Sequence, residues 1–166
     1  MSVAEPTVPQ VGEPAPDLAL PDETGAVHRL DGQRGRWTIL YFYPEDDTPG
    51  CTTEACQFRD LEPGFSDVGA DVWGVSPDGA GSHRRFREKF DLPFTLLSDP
   101  DHDVATRYGA WREKESYGRT YLGIARSSYL IDPDLRIARA WPKVRADGHA
   151  ATVLAALAEE QAARVS

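Results

Sequence analysis

The twenty residues from Trp37 to Cys56 restrict the possible folds more than any other stretch of this chain. Trp37-Thr38-Ile39-Leu40-Tyr41-Phe42-Tyr43 is an almost unbroken apolar run between Gly35 and Pro44. That is the pattern of a central strand buried on both faces. Thr48-Pro49 then reads as a helix start: threonine supplies an N-cap oxygen, and proline suits the first helical position. Loops that leave the C-terminal ends of parallel strands are where α/β sheets place their sites. Pro44 to Gly50 is such a loop, and it delivers Cys51 to the first turn of the helix. Free backbone N–H groups and the helix dipole there favour a thiolate over a thiol. Cys56, five residues on, is the only other cysteine.

The rest of the chain fits a mixed sheet flanked by helices. Residues 1–10 read as an extended, proline-rich lead-in whose partly mobile character reaches to about residue 16, and 11–166 as one domain. Asp17–Leu20 and Val27–Leu30 flank a turn-rich segment and predict a hairpin. A helix is expected from Pro49 to about Leu61, closing before Pro63-Gly64. Further strands are expected at Asp71–Ser76, Phe94–Ser98, Ser127–Ile131 and Arg136–Trp141, the last two joined by the turn Asp132-Pro133-Asp134. Helices are expected at Ser82–Phe90, at a segment starting on Asp99-Pro100 and stopped by Gly109, and at His149–Ala163. Val153, Leu154 and Leu157 form the inner stripe of the last one.

Composition excludes several classes of function. A net charge of −9 repels phosphate backbones and anionic lipid, so no nucleic-acid or membrane partner is expected. The basic run Arg84-Arg85-Phe86-Arg87 reads as the solvated face of a helix, with Phe86 and Phe90 turned inward. No stretch reaches the ~18 apolar residues of a membrane span. The N-terminal residues show no secretory pattern, and two cysteines are too few for a disulfide framework, so a cytoplasmic location is the expectation.

Two cysteines in this arrangement admit several readings. They could be inert core residues. They could be half of a metal site, but His28, His83, His102 and His149 are scattered without ligand spacing. A dithiol oxidoreductase would want C-x-x-C, and the spacing here is longer. Thiol peroxidase chemistry needs a thiolate, donors that align two peroxide oxygens, and a second thiol to trap the sulfenic acid; it needs no cofactor. Thr48 lies within reach of the first turn. Glu45, Asp46, Asp47 and Glu54 oppose a thiolate, so a cation must come from elsewhere in the fold. Arg126, at the opening of the strand Ser127–Ile131, is the candidate. Trp73, Trp111 and Trp141 could line an apolar approach for organic peroxides, although each also suits a packed core.

The segment Tyr41 to Cys56 closely resembles the active-site run of peroxiredoxins of the bacterioferritin comigratory protein (PrxQ) subfamily. Pro44, Thr48 and Cys51 match its P-x-x-x-T-x-x-C motif, and Gly123–Asp132 resembles the segment that supplies the active-site arginine, Arg126. The likeness implies a thioredoxin-like fold with an N-terminal hairpin. It implies Cys51 as peroxidatic and Cys56 as resolving cysteine, a hydroperoxide substrate, thioredoxin or glutaredoxin as reductant, and a monomer. Glu45 departs from the pattern, where lysine is expected. A Cys51–Cys56 bond cannot form on an intact helix: residues five apart have Cα atoms roughly 8.5 Å apart, and a disulfide tolerates at most ~7 Å. Local unwinding is therefore part of the expected cycle, eased by Gly50, Thr52 and Thr53.

Overall fold

A computed structural model describes residues 7–165. Its centre is a five-stranded mixed sheet built from β3 (Trp37–Phe42), β4 (Ala70–Ser76), β5 (Thr95–Ser98), β8 (Ser127–Ile131) and β9 (Ile137–Trp141), in the order β5-β4-β3-β8-β9. β3, β4 and β5 run parallel, while β8 and β9 are antiparallel to their neighbours. Every residue of β3 is buried, as its apolar run requires. Alternate side chains serve opposite faces. Ile39 and Tyr41 pack with α1 (Pro49–Ser66), α2 (Ala80–Phe90) and α4 (His149–Val165), whereas Leu40 and Phe42 pack with α3 (Asp103–Arg107) and the N-terminal hairpin. That hairpin is β1 (Ala19–Pro21) against β2 (Val27–Arg29).

The helix that carries both cysteines is longer than expected. α1 runs through Pro63 to Ser66. Proline there removes one backbone bond and crowds the carbonyl four residues earlier. Packing overrides that cost. Phe65 is fully buried, and Gly64 lies against α4 so closely that a Cβ would meet Leu154 at 3.2 Å. α3 is shorter than expected, beginning at Asp103 rather than at Asp99-Pro100. Asp99 still caps it, its carboxylate accepting from Val104 N at 3.3 Å and Ala105 N at 2.9 Å across an intervening turn.

Two further departures concern segments read as irregular. Thr7–Pro16 is tied to the body rather than trailing: Gly12, Glu13 and Ala15 exchange backbone hydrogen bonds with Leu135 and Ile137, and Pro9 is buried. Residues 1–6 of the expected lead-in over 1–10 lie outside the described residues. A second hairpin, β6 (Trp111–Ser116) with β7 (Arg119–Ile124), was not expected. Its charged faces lack apolar alternation, and its two-residue turn places Tyr117 and Gly118 at φ 52° and 74°. Such turns ordinarily carry Asn or Gly at the first of these positions.

Phe58 anchors the middle of α1: it is fully buried and stacks on Tyr41 of β3 with ring centroids 4.8 Å apart. Phe58→Ala should lower unfolding free energy by about 3–5 kcal/mol in urea melts.

Candidate active site

Cys51 enters α1 at the C-terminal end of β3, as the sequence pattern requires. Its residue surface is 1% exposed, and Cys56 is half-buried; both thiols are free. Arg126, between β7 and β8, brings Nη2 to 3.3 Å from Cys51 Sγ. The approach depends on Gly50, because a Cβ there would lie 3.1 Å from Arg126 Nη2. Arg126 is itself fixed. Nη1 donates to Glu54 Oε1 at 2.7 Å, and its carbonyl accepts from Val144 N at 3.0 Å. The sulfur is buried, but it lies against a guanidinium rather than in hydrocarbon alone.

In the sequence Glu54 reads only as a charge opposing a thiolate. It is fully buried, and its carboxylate points at Arg126. Three residues apart on one helix, Cys51 and Glu54 share a face, and that spacing was the available signal. The other acidic residues of the loop are largely compensated. Asp47 pairs with Lys89 at 2.8 Å, Asp46 is held by His83 and Tyr43, and Glu45 is exposed.

Thr48 occupies the N-cap position but does not cap through its side chain. Its hydroxyl donates back to Glu45 O at 2.9 Å instead. Thr52 N bonds Thr48 O at 2.8 Å, and among the described residues the N–H groups of Gly50 and Cys51 have no acceptor. The first turn therefore presents two free donors beside the sulfur, with Thr48 Oγ1 left able only to accept. Pro44, half-buried, opens the loop. Cys56 lies further along the unbroken α1, out of bonding reach of Cys51 by the helical geometry derived above.

Two buried ionisable groups flank Arg126. Burial pushes the Glu54 carboxyl up to about 7, against the pull of Arg126. Burial, with the charge of Arg126 added, pushes His149 down to about 4. His149 Nε2 bonds Ser128 Oγ at 2.9 Å. The two shifts have opposite consequences for stability. Glu54 takes up its proton in the folded state first, so its contribution is present below its unfolded value near 4.5 and is lost as pH rises through about 7. His149 stays neutral when folded, so its contribution is present above 6.5 and is lost as pH falls through about 4. In wild type they offset each other. Glu54→Gln should therefore make stability fall more steeply than wild type as pH drops from 6.5 to 4, by up to about 3 kcal/mol in urea titrations at each pH.

Among the described residues no three His, Cys, Asp or Glu side chains converge as metal ligands, and no helix is long and apolar enough to cross a membrane. Residues 11–140 match the AhpC/TSA family. The chain is 47% identical to the putative peroxiredoxin bcp of Coxiella burnetii, covering 89% of this chain and 98% of that protein. It is 44% identical to peroxiredoxin Bcp of Bacillus subtilis, covering 89% and 94%. A structure of the Xanthomonas campestris bacterioferritin comigratory protein, obtained for insight into that protein's alkyl peroxide reduction activity, superposes with a TM-score of 0.85 at 39% identity, covering 91% of this chain and 99% of that one. A cysteine mutant of Xylella fastidiosa PrxQ gives 0.88 at 34% identity, covering 93% and 99%. With its thioredoxin-like sheet and a cysteine at the N-terminus of α1, this chain belongs to the AhpC/TSA family and is a peroxiredoxin of the Bcp (PrxQ) type.

Proposed function

We propose that the chain reduces hydrogen peroxide and organic hydroperoxides through Cys51, with Cys56 as the resolving thiol and a thioredoxin- or glutaredoxin-type dithiol as the reductant. The observation that carries this reading is the 3.3 Å contact between Arg126 Nη2 and Cys51 Sγ. A guanidinium there favours the thiolate and faces the oxygen that gains charge as the peroxide bond breaks. Thr48 Oγ1, whose hydrogen is committed to Glu45 O, accepts a hydrogen bond from the hydroperoxide O–H. Pro44 shapes the loop that holds Thr48 in place.

Cys51 thiolate attacks the nearer peroxide oxygen and becomes a sulfenic acid, while the O–O bond breaks and the departing alkoxide or hydroxide takes a proton. α1 then unwinds over its first turns, Cys56 condenses with the sulfenic acid, and one water leaves. A reductant thiolate attacks the disulfide, and dithiol exchange restores both thiols. Gln57 and Phe58 mark where the unwinding stops. Gln57 donates to Asp147 Oδ1 at 2.6 Å and accepts from Gly148 N at 2.8 Å, and Phe58 is locked in the core. The chain needs no second copy to supply a thiol, which fits a monomer. Two cysteines, too few for a disulfide framework, fit a cytoplasmic location.

The test is peroxide consumption with thioredoxin, thioredoxin reductase and NADPH. Cys51→Ser should abolish turnover. Cys56→Ser should keep a single-turnover oxidation of Cys51 but lose thioredoxin-linked recycling. Turnover that survives the first substitution overturns the assignment of Cys51; normal steady-state recycling in the second removes Cys56 from the cycle. Faster reaction with protein disulfides than with peroxide would favour a general oxidoreductase.

A further inference from the structure

The loop in front of Cys51 is fastened to the body by a buried ion pair. Asp46, five residues before Cys51, has its side chain 3% exposed, and His83 of α2 is fully buried. Asp46 Oδ2 accepts from His83 Nδ1 at 2.7 Å and from Ser82 Oγ at 2.8 Å. Its Oδ1 accepts from Tyr43 OH at 2.5 Å. The backbone N–H of Asp46 donates to Asp78 Oδ2 at 2.7 Å, an oxygen that also accepts from Ser76 Oγ at 2.8 Å. One loop residue is thus held from the residue after β3, from the loop after β4 and from α2.

The protonation of His83 follows from its partners. Nε2 faces the Leu97 carbonyl at 3.1 Å, which can only accept. Nδ1 faces a carboxylate oxygen already receiving the Ser82 hydroxyl. Both contacts are those of a ring with hydrogen on each nitrogen, an imidazolium facing the Asp46 side chain. Burial alone would push His83 down, but the Asp46 bond and charge, the Leu97 carbonyl and the charge of Asp78 together hold it above its ordinary value. Such a group stabilises the fold below about pH 6.5, and the contribution is lost as pH rises through its raised folded value.

We propose that His83 is a positioning residue for Cys51. As an imidazolium it holds Asp46, and through Asp46 it holds the loop that sets the first turn of α1 against Arg126. The inference rests on the peroxidase reading above. Asp47, next in the loop, sits at φ 57° and pairs with Lys89 on the surface, so the buried anchor is at Asp46. Losing it frees the N-terminal end of the turn that must be wound for attack on peroxide. It does not hinder disulfide formation, which takes place from the unwound helix.

The experiment is stopped-flow oxidation of Cys51 by hydrogen peroxide, followed by tryptophan fluorescence from pH 6 to 10 in the full chain. His83→Gln should slow the first step at pH 7 by about tenfold, with the disulfide-forming step unslowed. Wild type should show an alkaline decline in the first step, with far-UV circular dichroism unchanged, and the variant should lack it. A wild-type rate in His83→Gln at pH 7, or an alkaline decline that persists in it, overturns the proposal. Asp46→Asn keeps the side chain's shape and one acceptor oxygen, replaces the other by an NH2 donor, and carries no charge. It must slow the same step, and a wild-type rate there overturns the proposal whether or not the histidine variant folds. If wild type itself fails to react with peroxide, the peroxidase reading fails instead.

Discussion

A guanidinium shared between a buried carboxylate and a buried sulfur organises this molecule. Arg126 touches Glu54 with one nitrogen and Cys51 with another. Each partner alone would be costly to bury in charged form, and the guanidinium offsets both. Glu54 also fixes where Arg126 points, since the remaining volume beside Gly50 admits no side chain without a shift of the guanidinium. The second Glu54 oxygen is buried and has no partner among the described residues, so the Arg126 contact is the one hydrogen bond found for this carboxylate.

The fold serves that contact by bringing together residues far apart in sequence. Cys51 and Glu54 come from the helix after β3, and Arg126 from the approach to β8, which pairs antiparallel with β3. The register Phe42↔Ser127 sets the end of β3 beside the residue following Arg126. β6 and β7 lead the chain into that position, and the Arg126–Val144 backbone bond fastens it to the segment before α4.

Much of this was legible in the sequence because it follows from burial. A run with no polar alternation, such as Trp37–Tyr43, suits only a strand covered on both sides, and the following Thr-Pro dictates the helix. The cysteine position follows from those two facts. What stayed hidden depends on contacts that no local pattern encodes. Pro63 argued for a helix end, and only the burial of Phe65 and the close approach of α4 explain why the helix continues. Thr48 reads as a cap, but its hydroxyl donates back to Glu45 O and its oxygen accepts from no N–H of the first turn. The hairpin at Trp111–Ile124 lacks both apolar alternation and the usual turn residues. Glu54 reads in the sequence as one more acid opposing the thiolate, although its spacing from Cys51 places it on the same face. Physical reasoning asks for a cation from elsewhere in the fold and points to Arg126 from its place at the opening of a strand, and the family likeness adds weight to that choice.

α1 also has an energetic seam. Beyond Gln57 it is held by Phe58, Phe65 and α4, while the turns before it give the core only the small side chains of Cys51 and Ala55 and are tied to Arg126 through Cys51 and Glu54. In the proposed cycle those turns and the cysteine bond are mutually exclusive. The free energy of winding the helix is therefore linked directly to the reduction potential of the thiol pair. Any contact that steadies the wound turns makes the oxidised form easier to reduce, so the helix acts as a spring that returns the enzyme to its electron-rich state.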